Sequence, residues 1–397
     1  MSNVYVTRLA KIPDPVRVSR YRRAPELGPR LLFFSGGSAL TGLSRVLKHH
    51  THNSTHMVTP FDSGGSSAIL RRAFNMPSIG DLRSQLMALA DETVTGHPEV
   101  YQLFTFRLPM TGQKRDLLRK LKAMVDGQDP MVRSISNPMR RLIRHQLGYF
   151  LEAMPKSFEL RGASIGNLIL AGGYLNNFEH LDPIIFLFSK LVEVRGTVRA
   201  IVNDDLHLGV DLDDGTRVIG QHRITGKEVA PLTSPIKRLF LSRQSDKYVK
   251  ANSLLRKKNR KLIRKADLIV FPPGSFYTSM LANLLPKGVG TAIADSQCPK
   301  VYIPNLGQDP EQIGMTTDRL VLKLLAQLRR DLTDECDTNR LLNFVLIDSK
   351  NGVYPSRLSQ GTMNELGVHV VDIPLITTQS APYYDATLLV DALLSLT

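Results

Sequence analysis

The chain has 397 residues, 42% hydrophobic and 22% charged, and its 51 Lys and Arg against 36 Asp and Glu give a formal net charge of +15. This composition supports a large apolar core and excludes a mainly disordered chain, a collagen-like repeat and, with only Cys298 and Cys336, a disulfide scaffold. No apolar run reaches the roughly 18 residues of a membrane helix, and the charged N-terminus lacks a signal-peptide core, so the expectation is a cytoplasmic protein without membrane association.

Residues 1–30 read as an irregular extension carrying Pro13, Pro15, Pro25 and Pro29, ahead of a single α/β domain over 31–397. Leu31-Leu32-Phe33-Phe34 stops at Ser35-Gly36-Gly37-Ser38, and Leu40, Leu43, Val46 and Leu47 then recur at helical spacing, which predicts strand, tight loop, helix. Met57-Val58-Thr59 is a second strand, followed by Asp62-Ser63-Gly64-Gly65-Ser66-Ser67 and a helix through Ile69 and Leu70. Gly80-Asp81-Leu82-Arg83 opens the next helix. A basic helical insertion spans about 105–155, broken near Pro130 and Pro138, and 160–195 continue as helix. From Thr197 to Val202 the pattern becomes a strand, and His207–Leu212 and Arg217–Gly220 flank Asp213-Asp214-Gly215 as a β-hairpin, with β character again over Ile236–Leu241 and helix over 249–264. Leu268-Ile269-Val270-Phe271, Lys300-Val301-Tyr302-Ile303, Phe344-Val345-Leu346-Ile347 and Val370-Val371-Asp372-Ile373 are further strands, the first followed by Pro272-Pro273-Gly274-Ser275 and a helix to Leu285. Continuous apolar strands alternating with helices predict a Rossmann-like, mostly parallel sheet covered by helices on both faces, plus the helical insertion and a small β-hairpin region.

The basic surplus clusters at 237–265, at 111–150 and in the first thirty residues. Such patches attract nucleic acid or phosphorylated ligands, or simply form solvated helix faces. No zinc-finger or RNP-type signature is present, so nucleic acid is not the expected partner. His49, His50, His52 and His56 lack regular ligand spacing and read as a polar loop rather than a metal site.

Three Gly/Ser loops, at 35–38, 62–67 and 273–279, each follow a strand and open a helix. In a doubly wound sheet they lie at the carboxyl ends of the strands, where backbone N–H groups at a helix start bind phosphate. Each alone also reads as an ordinary helix cap; together they point to a nucleotide or phosphate site. None matches a P-loop or GxGxxG. Asp62 is the candidate for chemistry, holding Mg²⁺ on a diphosphate or accepting a proton from a hydroxyl; the competing reading is a helix cap. Asp81 reads as a helix cap or a ligand contact, and Ser164 and Asn167 stand at another helix start.

The stretches LLFFSGGSALTGLSRVLK, FDSGGSSAILRRAF, GDLRSQLMALAD, RGASIGNLIL, ADLIVFPPGSFYTSMLANLL and KVYIPNLGQDP, in that order from about residue 31 to 310, resemble the CofD/YvcK family. The resemblance implies a nucleotide-diphosphate ligand of GDP or UDP type. In the 2-phospho-L-lactate transferase branch a phospholactyl group passes, with Mg²⁺, from a guanosine-diphosphate-activated donor to the hydroxyl of a deazaflavin alcohol. In the YvcK branch, UDP-sugars are bound in cell-envelope and carbon metabolism. Carried onto this chain, the resemblance assigns Gly36, Gly37 and Ser38 to the first phosphate loop. It assigns Asp62, with Ser63, Gly64, Gly65 and Ser66 behind it, to the aspartate loop, and Gly80, Asp81 and Arg83 to a Gly-Asp-x-Arg segment. Ser164, Gly166 and Asn167 match a Ser-x-Gly-Asn segment. Gly274, Ser275, Tyr277, Thr278, Ser279 and Asn283 match the second phosphate segment, and Asn305 the asparagine after the next strand. The second aspartate of the family's pair is Ser63 here, which removes a charge from a Mg²⁺ site held by Asp62, and FDSGGSS and FPPGSFYTS are closer to the YvcK branch. Family members commonly dimerise; the sequence neither supports nor opposes a homodimer.

Overall fold

The computed structural model describes residues 9–93, 96–226, 229–307, 309–333 and 335–397. Among them, ten strands form two sheets: β1 (Leu31–Ser35), β2 (Thr55–Val58), β3 (Thr197–Ala200), β4 (His207–Leu212), β5 (Arg217–Ile219), β6 (Ile236–Ser242), β7 (Leu268–Phe271), β8 (Lys300–Tyr302), β9 (Phe344–Ile347) and β10 (His369–Asp372). The larger sheet runs β10-β9-β8-β7-β1-β2-β3 with every neighbouring pair parallel, as the strand composition predicts. β1 is central and buried throughout. Its side chains alternate: Leu31 and Phe33 join a cluster with Leu43, Leu47, Leu389 and Leu393, whereas Leu32 and Phe34 join one with Ile293, Leu320 and Leu324. Helices therefore cover both faces, and each fully buried Leu or Phe contributes about 1.5–3 kcal/mol.

The chain winds outward from β1 through β2 to β3, and from β7 through β8 and β9 to β10 in the other direction. The order reverses between β1 and β7, and in such sheets the crevice beyond the strand ends opens at this point.

The helical insertion consists of Lys114–Asp126, Pro130–Arg133 and Met139–Ala153, with breaks at the prolines that the sequence marks. It begins earlier than predicted, since Pro98–Thr105 is also a helix, started by Pro98 in the first turn. The smaller sheet, β5-β4-β6, is antiparallel and contains the predicted hairpin. On it the Asp211 carboxylate accepts from Arg217 Nε at 2.6 Å and Arg238 Nε at 2.8 Å, and the Arg217 guanidinium lies 4.6 Å from the Tyr248 ring centroid. Part of the basic surplus is thus spent within the fold.

Two expectations are corrected. The extension expected to be irregular over 1–30 contains a helix among its described residues, Pro15–Arg23. Asp14 caps it by accepting from the N–H groups of Val16 and Arg17, Pro15 occupies its first position, and Asp14 N–H donates to Ser395 Oγ at 2.7 Å, fastening it to the Ala386–Ser395 helix. Proline at a helix start is favourable, whereas the sequence reading treats it as a breaker. The helix predicted over 249–264 is only Lys257–Arg264, because the preceding segment folds back on β6, with Arg243 N–H on Val249 O and Ala251 N–H on Leu241 O. Among the described residues no helix is long and apolar enough to cross a membrane.

Candidate functional site

At the β1/β7 switch point a cavity of about 470 Å³ opens at the carboxyl ends of the strands. The three Gly/Ser loops meet there. Gly36 and Gly37 come from β1, Asp62, Gly64, Gly65 and Ser66 from β2, and Gly274, Ser275 and Ser279 from β7, with Asp81, Arg83 and Asn167 completing the wall. The approach is close: a Cβ on Gly36 would overlap Ser279 Oγ, and one on Gly37 would overlap the Asp81 carboxylate. Among the described residues the N–H groups of Gly36, Gly37, Gly274 and Ser275 have no protein acceptor. Gly37→Val is therefore expected to displace Asp81 and weaken anion binding in the cleft by about tenfold or more. Unchanged nucleotide-dependent melting of that variant would contradict this.

Asp62 faces the cavity, and its Oδ1 accepts from Gly64 N–H at 3.1 Å. This is a local turn rather than a helix cap, since the Gly65–Phe74 helix has Gly64 at its N-cap. Asp81 lies in the first turn of Gly80–Leu89, where the helix dipole favours a carboxylate. Arg83 is mostly buried, and burial together with the nearby Arg107 guanidinium pushes it down to about 10, leaving it cationic at neutral pH. Neither arginine forms an ion pair among the described residues; Arg83 donates to Phe104 O at 3.4 Å and Arg107 to Gly162 O at 3.2 Å. Three buried polar atoms on the cavity wall have no hydrogen-bond partner: Ser35 Oγ, Arg83 Nε and Asn167 Oδ1. Buried polar groups are nearly always satisfied, so three orphans gathered at one cavity are uncommon.

Other predicted residues serve the site from behind it. Asn283 is fully buried and donates through Nδ2 to Ser35 O at 2.8 Å and to Ser279 O at 3.0 Å, tying the end of β1 to the turn after β7. Ser164 caps the Ile165–Asn176 helix, accepting from Asn167 N–H. Tyr277 and Thr278 are buried in the wide turn Phe276–Leu281. The expectation that this turn offers its N–H groups to phosphate is corrected, because they are already taken. Asp309 Oδ2 accepts from Phe276 N–H at 3.3 Å, and Glu311 Oε2 from Tyr277 and Thr278 N–H at 3.0 and 2.9 Å. Thr278 Oγ1 donates to Glu311 Oε1. Asn305, after β8, is half-buried and does not line the cavity, and the Ser38 side chain lies outside the described residues.

The sequence reading missed Arg107 and the short helix Gln221–Ile224, which brings Gln221 and His222 to the cleft from the small sheet. Ser63 does not line the cavity; its Oγ lies 2.8 Å from His222 Nδ1. His56, grouped with the histidine cluster, is a core residue stacked on Phe33 at 5.0 Å, and burial pushes it down to about 3, so it is neutral.

Residues 31–380 match the family model described as 2-phospho-L-lactate transferase CofD. The chain belongs to the CofD family. The match to the family extends past residue 310, where the sequence resemblance ended, through β9 and β10. Among its relatives, the gluconeogenesis factor of Halalkalibacterium halodurans is 32% identical over 289 residues, covering 72% of this chain and 70% of that protein. The gluconeogenesis factor of Listeria monocytogenes is 27% identical over 380 residues, covering 94% and 96%. A crystal structure of a UPF0052-family protein from Bacillus halodurans superposes with a TM-score of 0.68 at 26% identity, covering 92% of this chain and 99% of that one. The fold is thus shared with that crystal structure over nearly the whole chain.

Proposed function

We propose that this CofD-family protein binds a nucleoside-diphosphate conjugate across the β1/β7 cleft, as a nucleotide-sugar-type binding protein of the gluconeogenesis-factor branch. The observation that carries this reading is the set of orphaned polar atoms around one glycine-lined cavity, Ser35 Oγ, Arg83 Nε and Asn167 Oδ1. The diphosphate would lie against the N–H groups of Gly36 and Gly37, opposite the Arg83–Arg107 pair, because paired guanidiniums match phosphate oxygens in charge and shape. The turn at 276–278 would contribute little, its donors being capped by Asp309 and Glu311.

The residues fit Mg²⁺ only as an ion arriving with its ligand. Among the described residues no group of three or more His, Cys, Asp or Glu is placed to hold a metal, but Asp62 and Asp81 both line the cleft. One or two carboxylates plus phosphate oxygens and water are what Mg²⁺ commonly takes. When bound, the ion would neutralise diphosphate charge. Ser63, at the position of the family's second aspartate, is engaged with His222, and this favours binding over transfer.

A second reading rests on Asp62. Its carboxylate faces the cavity and would accept the proton of an acceptor hydroxyl as that oxygen bonds to the phospholactyl phosphorus and GMP leaves. Thermal melting with GDP, GTP, UDP and UDP-sugars, with and without Mg²⁺, separates the readings. A ligand at 100 times its Kd stabilises by about 2.7 kcal/mol. The expected result is stabilisation by a UDP-type ligand, retained in Asp62→Asn, with no product. GMP release that Asp62→Asn abolishes would replace the binding reading with the transferase, and no response to any nucleotide would remove both.

A further inference from the structure

A second cavity, of about 740 Å³, lies at the other end of the sheet. Its walls come from Lys48, His49 and His52 before β2, Arg195 before β3, and Asp91 and Glu92 just after the Gly80–Leu89 helix. Arg45 joins them from the Thr41–Leu47 helix, and Arg22 from the N-terminal helix. The two carboxylates are already matched. Arg195 Nη2 donates to Asp91 Oδ2 at 2.7 Å, and the buried Lys48 Nζ to Glu92 Oε1 at 2.9 Å and Ala90 O at 2.7 Å. Arg22 and Arg45 form no ion pair among the described residues, and both are exposed to the cavity mouth. The surplus is two guanidiniums, joined by two imidazoles on the same wall.

His49 is held below its ordinary value by burial first and then by Lys48, His50 and Arg22, with Asp91 opposing. His52 is lowered by burial and Arg195, with Glu26 and Asp91 opposing. The lining carries Arg22, Arg45, Lys48 and Arg195 against Asp91 and Glu92, with Glu26 acting on His52 and Asp391 on Arg22 from outside the wall. Its four segments are held in register, for example by His52 N–H on Pro25 O at 2.9 Å.

We infer that this amino-end cavity is a second anion site, taking the phosphoryl group of a small molecule between Arg22 and Arg45. Two unpaired guanidiniums over a wall of matched pairs suit a doubly charged group that accepts several hydrogen bonds, and a single carboxylate would leave half the positive charge unanswered. The site is composite. Arg22 lies ahead of the family-matched segment 31–380, so the N-terminal helix would turn a basic surface of the CofD core into a binding site, and ligand would in turn fasten that helix to the core. This proposal is independent of the reading of the cleft.

The test uses the full chain, with its histidines isotopically labelled, titrated with inorganic phosphate and separately with glycerol 3-phosphate, against chloride at matched ionic strength. The expected result is that either phosphate moves the ring resonances of His49 and His52. Arg22→Ala or Arg45→Ala, both at exposed positions, should weaken that response about tenfold, whereas Gly37→Val leaves it intact. Tighter binding of the ester identifies an organic phosphate and tighter binding of the free ion identifies phosphate itself, and either supports the site. Resonances that do not move, that move equally with chloride, or that respond equally in the arginine variants would overturn it.

Discussion

Replacing Glu311 by alanine is expected to destabilise the protein by about 3–5 kcal/mol, because it strips acceptors from buried donors at the turn after β7. Glu311 is 1% exposed, and it takes the N–H groups of Tyr277 and Thr278 and the Thr278 hydroxyl. Glu311→Gln keeps an acceptor for both N–H groups and removes the charge, so it should lose far less. The two variants also differ in pH behaviour. Burial and the neighbouring Asp309 raise the Glu311 carboxyl to about 7, against an ordinary value of 4.5, with its hydrogen bonds opposing. Between those two values the folded chain holds a proton that the unfolded chain has released. Stability therefore falls as pH rises through 4.5 to 7, by on the order of 3 kcal/mol, and levels off above. Urea midpoints at pH 5, 6, 7 and 8 should show that slope in the parent and a flatter one in Glu311→Gln. Parallel profiles would mean the carboxyl titrates normally.

That brace was invisible in the sequence for a definite reason. A Gly-Ser loop opening a helix reads as a phosphate cradle whether its N–H groups point at a ligand or at a carboxylate more than thirty residues away, and local spacing does not say which. Glu311 follows β8, and only the parallel pairing of β7 with β8 brings it under the turn. The parallel sheet itself was legible, because strands such as Leu31–Ser35 and Leu268–Phe271 are apolar on both faces, the mark of burial between two helix layers. The hairpin was legible from Asp213-Asp214-Gly215, whose glycine adopts φ +86°. The N-terminal helix was not, since Pro15 both breaks and begins helices and only its docking on Ser395 decides between them.

The cleft was legible in part, to the extent that its residues sit on the loops that end strands. Gly36, Gly37, Asp62, Gly64, Gly65, Ser66, Asp81, Arg83, Asn167, Gly274, Ser275 and Ser279 are all legible in the sequence and meet around one cavity. Arg107 and His222 were missed because they arrive from the helical insertion and the small sheet, elements whose placement over the cleft depends on tertiary packing. Asn283 was named as a contact and turns out to be a fastener. An amide that ties Ser35 O to Ser279 O sets the width of the crevice, so its effect on binding would pass through the loops that it holds.

Arg71→Ala is the second large effect expected, also about 3–5 kcal/mol, and it bears directly on Asp62. The Arg71 side chain is 4% exposed and spans the gap between the β2 loop and the segment leading to β4. Nη1 donates to Phe61 O at 3.3 Å and Asp62 O at 3.1 Å; Nη2 donates to Leu206 O at 2.7 Å and, with Nε, to Asp205 Oδ1 at 2.6 and 3.1 Å. Removing it leaves three carbonyls and a carboxylate without their cation, and breaking a buried pair from one side carries that full penalty. Asp205→Asn should cost less, because the guanidinium keeps its carbonyls and Asp205 is itself 26% exposed. Arg71→Lys should fall between them, since one ammonium cannot serve acceptors on both sides of the gap. The order Ala, Lys, Asn in urea midpoints is therefore the signature of a guanidinium acting as a bridge. An Asn variant as damaging as Ala would assign the effect to the ion pair instead. Because the bridge ends on the Asp62 carbonyl, Arg71→Lys should also weaken the nucleotide response of a chain that still folds. An intact response would show that the aspartate loop holds its shape without that tether.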